Sequence, residues 1–256
     1  MIKTRLYHQQ HTDKAISIWQ QGTRRWLDFG DSLTQSAIDI VRPKYLIEKF
    51  HRAMLAAVMF RQQPIKNVLL AGVGGGAIAR YFSHRFPEIK GDAVELSAEI
   101  LALAQQYFDL PVGQQWQYYQ ADFRTYLQQC QQQYDLIIFD IADGTGVPAW
   151  LAEPDFIAQC YRHLTPEGQL SINLIAVSGE HFLQHLSVLR QVFHKQTLCM
   201  SLEEHRNIVL SGFKFTNQDV MWPHTNYSQL SLDWQIEFDF FKDVIRNENP
   251  INSGFL

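Results

Sequence analysis

Residues 67–76, Asn-Val-Leu-Leu-Ala-Gly-Val-Gly-Gly-Gly, constrain this chain more than any other segment. A short apolar run ends in a glycine cluster, a helical pattern follows, and a second apolar run closes at Val94-Glu95. That order reads as a βαβ unit whose strand-to-helix turn is built to admit a nucleotide. Gly72, Gly74 and Gly75 carry no Cβ, so the backbone can turn tightly there and approach a ligand closely. Glu95, at the end of the next strand, is placed to accept hydrogen bonds from two ribose hydroxyls.

The pattern on both sides extends this unit. Strands are expected at 67–73, 92–96, 116–121, 134–140, 169–175, 196–201 and 207–214, with helices near 76–86, 97–108, 123–132, 153–164 and 180–193. Tyr134-Asp-Leu-Ile-Ile-Phe-Asp140 is a nearly continuous apolar run, as a strand covered on both faces requires. The link at 202–206 is too short for a crossover helix, so the last two strands form an antiparallel pair. The expected fold is α/β: a doubly wound, seven-stranded, mostly parallel sheet of the methyltransferase-like Rossmann type. Residues 1–45 read as a small β-rich N-terminal appendage, with a hairpin turn at Gln20-Gln-Gly-Thr23. A helix over 45–60 then opens the catalytic domain at 46–215, and 216–256 forms a helical tail packed on the body or on a partner.

Composition narrows the function classes. The chain has 256 residues, 46% hydrophobic and 19% charged, enough for a full core and without a disorder signature. A formal charge of −4 argues against a nucleic-acid binder working through a broad basic face. Cys130, Cys160 and Cys199 are scattered, with no metal-ligand spacing, so no metal is expected and a reducing cytoplasm is the expected compartment. No apolar run spans a membrane, and the first residues lack the apolar core of a signal peptide.

Gly72-Val-Gly74-Gly-Gly-Ala77 formally matches the dinucleotide fingerprint. Three acidic strand ends point elsewhere. Asp122 follows a strand and precedes a helix, where it could accept from an adenine amino group while the Phe123 N–H meets a ring nitrogen; it could equally cap that helix. Asp140 ends the buried fourth strand, where a carboxylate needs a donor or a function. Glu95, Asp122 and Asp140 together suit one adenosine with a sulfonium tail better than a pyrophosphate, which they would repel. The expected co-substrate is an S-adenosyl compound, with NAD as the alternative.

With Gly72 to Gly76, Val94-Glu95, Ala121-Asp122 and Asp140-Ile-Ala-Asp143-Gly in view, the chain resembles the spermidine synthase family of aminopropyltransferases over about residues 15–215. The family's Asp-Ser-Ser-Asp-Pro-x-Gly-Pro stands here as Asp140-Ile-Ala-Asp143-Gly-Thr-Gly146-Val-Pro148, with both acids at their spacing. The resemblance implies adenosine contacts at Glu95 and Asp122, Asp140 as the base for an attacking amine, Asp143 as a holder of the cationic substrate, and a homodimer. The departures are specific. Gly74 stands where the family loop has an acid, and His51-Arg52-Ala53-Met54 stands where it has Tyr-His/Gln-Glu-Met. The family's Pro-Thr-Tyr-Pro-Ser-Gly segment is missing near Ser201-Leu-Glu-Glu-His205.

Three functions follow from these residues. The first is aminopropyl transfer from decarboxylated S-adenosylmethionine to an amine. The second is methyl transfer from S-adenosylmethionine, whose carboxylate Gly74 would no longer repel and Arg52 could pair. The third is a nucleoside-binding module with a decayed substrate site. His51, His163, His194 and His205 have no nucleophile motif beside them and read as hydrogen-bonded structure. Trp150 could close over a substrate or anchor its loop by packing.

Overall fold

The computed structural model describes residues 2–12, 14–30, 34–141, 146–202, 207–216 and 226–256. A seven-stranded sheet forms the centre. Its strands are β5 (Asn67–Ala71), β6 (Lys90–Glu95), β7 (Trp116–Gln120), β8 (Tyr134–Phe139), β9 (Leu164–Ile175), β10 (Thr197–Ser201) and β11 (Asn207–Phe213), in the order β10-β11-β9-β8-β5-β6-β7. Strands β5 to β9 pair in parallel, and β11 runs antiparallel to both β9 and β10. The expected α/β architecture is therefore the observed one. Strand β9 starts at Leu164 rather than at the expected 169, and the β8–β9 register shifts between Tyr134 and Leu136.

Parallel strands covered on both faces need apolar side chains on both, and Leu136, Ile137, Ile138 and Phe139 are all buried. Helices α2 (Ala77–Arg85), α3 (Ala98–Tyr107), α4 (Phe123–Gln129), α5 (Pro154–Arg162) and α6 (Gly179–Val192) supply the crossovers. The order reverses between β5 and β8, which both end in a loop on the same side. That is the switch point where open α/β sheets bind ligands.

The helix expected over 45–60 is shorter. It comprises α1 (Lys49–Ala56) and a 3₁₀ turn at Ala57–Phe60. Ala53, Met54, Leu55 and Ala56 of α1 are fully buried. Burying a Leu or Met side chain contributes about 1.5–3 kcal/mol, so α1 is fixed against the sheet along its length. The buried Ser171 hydroxyl of β9 donates to the Met54 carbonyl at 2.9 Å and ties the helix to the strand.

The N-terminal part is richer in strands than the expected hairpin. Strands β1 (Lys3–Gln10), β2 (Ala15–Gln21), β3 (Arg24–Asp28) and β4 (Thr34–Asp39) form an antiparallel meander. Its inner face, Ile16, Ile18, Leu27 and Ile38, packs on Ile100, Leu103 and Phe108 in and after α3. The C-terminal helices α7 (Tyr227–Trp234) and α8 (Phe238–Glu248) pack on the main body, with Phe238, Phe241 and Ile245 buried in its core. No helix among the described residues is long and apolar enough to cross a membrane.

Candidate active site

The glycine loop sits between the ends of β5 and β8. Gly72 has φ +87°, and a Cβ there would lie 2.3 Å from the Asp140 carbonyl oxygen, so only glycine fits. At Gly75 the reason is packing: a Cβ would meet the Ser36 hydroxyl of β4 at 2.7 Å. Gly74 differs from both. The nearest heavy atom to a Cβ there is on Ser36, 3.8 Å away, so the loop is open on that side.

Two side chains hold the loop. Glu95 Oε2 accepts from the Val73 N–H at 3.0 Å and Oε1 from the Ser97 N–H at 3.0 Å. Each carboxylate oxygen keeps a second lone-pair direction for a hydroxyl donor. From beneath, the buried Arg80 guanidinium donates to the carbonyls of Gly75 at 2.9 Å, Phe108 at 2.5 Å and Pro43 at 2.9 Å. Burial lowers Arg80 to about 10, still far enough above neutrality to keep its charge. No sequence pattern singled out Arg80. Its partners are backbone carbonyls, which leave no mark in residue type.

Asp122 takes the structural role that its position allowed. It is the N-cap of α4: Oδ1 accepts from the Arg124 N–H at 2.9 Å and the Thr125 N–H at 3.4 Å. The Arg124 guanidinium also donates to both of its oxygens, and that bond is the largest cause holding the Asp122 carboxyl below its usual range. Phe123 is the first residue of α4, so its N–H is one of the donors a helix start leaves without an intrahelical partner. Trp150 packs against Phe156 and Phe139 with ring centroids 4.7 and 6.3 Å away, and the Arg124 guanidinium lies 5.3 Å from its ring. Packing, rather than closure over a ligand, accounts for its position here.

Asp140 is at the centre of a hydrogen-bonded chain. Its backbone N–H donates to the Ala71 carbonyl at 2.9 Å, which aligns the ends of β8 and β5. The carboxylate is 3.0 Å from His51 Nε2 through Oδ2, and accepts from Asn173 Nδ2 at 2.9 Å through Oδ1. Asn173 in turn accepts from Asn207 Nδ2 at 2.7 Å. The side chain of Asp140 remains 23% exposed while that of His51 is only 3% exposed, so the acid faces outward and the imidazole backs it. His51 is hydrogen-bonded, as expected, and its partner is the candidate base. Asn173 and Asn207 were likewise not singled out by the sequence. Asp143 and His205 lie outside the described residues.

Arg52 corrects a sequence-based expectation. Its guanidinium binds Glu237 at 2.9 and 3.1 Å and the carbonyls of Leu46 and Ile47, so it is spent within the body of the protein and does not wait for a ligand carboxylate. His163 bridges the carbonyls of Gln159 and Cys130, and His194 occupies a left-handed turn at φ +51° beside Tyr161; both are structural, as expected.

Comparison with known proteins agrees with this fold. The model of the methyltransferase domain family matches residues 68–168. The polyamine aminopropyltransferase of Chromobacterium violaceum is 25% identical over 244 residues, covering 94% of this chain and 93% of its own. The crystal structure of a probable spermidine synthase from Corynebacterium glutamicum superposes with a TM-score of 0.72 at 18% identity, covering 97% of this chain and 95% of that one. The chain is spermidine synthase-like, on a class I methyltransferase-like sheet. Human methyltransferase-like protein 13 in complex with SAH shares the fold at a TM-score of 0.65 and 24% identity, covering 76% of this chain and 93% of that one. With curated aminopropyltransferases and a methyltransferase domain among its likenesses, this spermidine synthase-like chain is an enzyme of the alkyl- or methyl-transferring kind.

Proposed function

We propose that the protein transfers an aminopropyl group from decarboxylated S-adenosylmethionine to an amine, with Asp140 as the base. The observation that carries this reading is the state of the Asp140 carboxylate. An imidazole and an amide engage it, no Lys or Arg among the described residues pairs with it, and it is partly open. A carboxylate held that way keeps lone pairs open to an ammonium group.

The chemistry needs such a group. A primary amine of pKa about 10 is protonated by about a thousand to one at pH 7, equivalent to about 4 kcal/mol against the nucleophilic form. Asp140 would bind the ammonium, orient it and accept one proton, leaving the nitrogen lone pair to attack carbon as the carbon–sulfur bond breaks. When bound, the sulfonium supplies the electrophilic carbon. Glu95 would hold the ribose, the Phe123 N–H and Asp122 the adenine, and the open side of the loop at Gly74 the tail. The Chromobacterium relative, named for aminopropyl transfer and aligned over nearly its whole length, supports the same reading. Asp143 would be a second holder of the amine.

Methyl transfer is the second reading, favoured by Gly74 itself. Without an acid there, nothing at that position repels the carboxylate of S-adenosylmethionine. Arg52 no longer adds to that case, since Glu237 holds it. Thermal stabilisation separates the two, because a ligand that binds only the native state raises the midpoint. The expected order is 5′-methylthioadenosine and decarboxylated S-adenosylmethionine above S-adenosylmethionine, with NAD inert. Stabilisation by S-adenosylmethionine alone would favour the methyl reading, and stabilisation by NAD alone would refute both. The variant Gly74→Asp strengthens the comparison: the site is in the left-handed region, which Asp tolerates, and has space. It should raise the preference for the decarboxylated form.

A further inference from the structure

The histidine behind Asp140 has an asymmetry that assigns it a task. Nε2 of His51 faces the carboxylate at 3.0 Å. Nδ1 is buried and has no hydrogen-bond partner among the described residues. A neutral imidazole carries one proton and one bare nitrogen, whereas an imidazolium carries two N–H groups that both need acceptors. A buried N–H without an acceptor costs about 1–3 kcal/mol, and more when it is charged. The bonding pattern therefore selects the neutral ring with its proton on Nε2, donated to Asp140 Oδ2.

The consequence concerns the acid. Asn173 Nδ2 donates to Oδ1 from β9 while His51 donates to Oδ2 from α1, so each oxygen takes one neutral donor and the carboxylate plane is set from two elements. Neither donor cancels its charge. Asn207 fixes Asn173 in turn through the amide oxygen, which leaves the Asn173 NH₂ directed at the acid. The helix carrying His51 is itself immobilised by the buried residues on either side of it, Phe50 and Ala53 to Ala56.

We propose that His51 is the positioning residue of the transfer reaction: as a neutral Nε2–H donor it aims the Asp140 carboxylate at the amine without reducing its charge. The proposal rests on the reading of Asp140 as base. His51 is buried behind the acid, so its effect should appear in turnover and not in nucleoside binding.

Nitrogen NMR of histidine-labelled full-length protein, with the His51 signal assigned by its loss in His51→Phe, tests the first half without any activity. At pH 7 the ring should carry its proton on Nε2 and none on Nδ1; a proton on Nδ1, or on both nitrogens, would overturn the proposal. This arm decides even if the wild-type protein transfers nothing to any amine, an outcome that would refute the base reading instead. Kinetics test the second half with decarboxylated S-adenosylmethionine and a panel of primary amines. A lost hydrogen bond to a charged group corresponds to about a ten- to hundredfold fall in kcat for His51→Phe. KM for the amine and the midpoint shift given by 5′-methylthioadenosine should stay within twofold, and His51→Gln, which keeps an N–H donor, should recover part of the loss. Unchanged kcat in His51→Phe, or equal losses in both variants, would contradict the assignment.

Discussion

On the proposed reading, Glu95 serves both fold and site. Its two oxygens hold the Val73 and Ser97 N–H groups, so the acid that would meet the ribose also shapes the glycine loop and the start of α3. Replacing it by Ala leaves both donors without their acceptor, which costs about 1–3 kcal/mol where they are buried. Glu95→Ala should therefore lower the denaturant midpoint and weaken 5′-methylthioadenosine binding together; a change in stability with affinity intact would remove Glu95 from the ribose site. The residues legible in the sequence were those with a local signal: the glycines by their cluster, Glu95 and Asp140 by their place at strand ends, and Asp122 as a cap by the helix after it. His51 stands 89 positions from Asp140 and Asn173 stands 33 away, so only the folded sheet could join them. Gly75 was legible as a glycine but not for its reason, since Ser36 approaches it from a separate sheet.

At the scale of elements, the C-terminal helices finish what the sheet leaves open. Strand β10 is an edge, and its free backbone groups would otherwise present a pairing surface. Side chains at the end of α8 cover them: Asn249 accepts from the Cys199 N–H at 2.9 Å and donates to the Cys199 carbonyl at 2.7 Å, while Glu248 accepts from the Ser201 N–H at 2.8 Å. A helical period in the sequence announces an apolar face but not the surface it meets, which is why the tail could be read as packing on the body or on a partner. The Arg52–Glu237 pair joins the start of α8 to α1. Arg52→Ala should cost about 1 kcal/mol, given the partial exposure of both groups. Denaturant unfolding measures it, and 5′-methylthioadenosine binding should be unaffected.

Helix α6 adds a pH dependence. His185 is buried, donates through Nδ1 to the His181 carbonyl at 2.8 Å, and leaves Nε2 without a partner among the described residues. Burial pushes its pKa below the ordinary value. The unfolded chain then takes up the proton more readily than the folded one. Stability from this group is full above about pH 6.5 and is lost as the pH falls through that value toward the lower folded one. The thermal midpoint should drop between pH 7 and pH 5.5, and His185→Leu should flatten that drop; an unchanged slope would show that other groups govern it.

In the whole molecule the proposed site divides into two halves carried by different parts of the sheet. The half proposed for the nucleoside lies at the ends of β5, β6 and β7, where the sequence pattern was continuous and the topology followed from it. The proton half joins α1, β8, β9 and β11 around Asp140, and its members became visible only once β11 was inserted antiparallel beside β9. On the proposed reading these halves are separable and Asp140 performs the proton transfer. The variant Asp140→Asn distinguishes them, assayed for transfer from decarboxylated S-adenosylmethionine to primary amines beside 5′-methylthioadenosine binding. The substitution keeps the size of the side chain and removes its charge. Transfer should fall by about a hundredfold or more while the nucleoside binds as before; transfer at the wild-type rate in that variant would contradict the account.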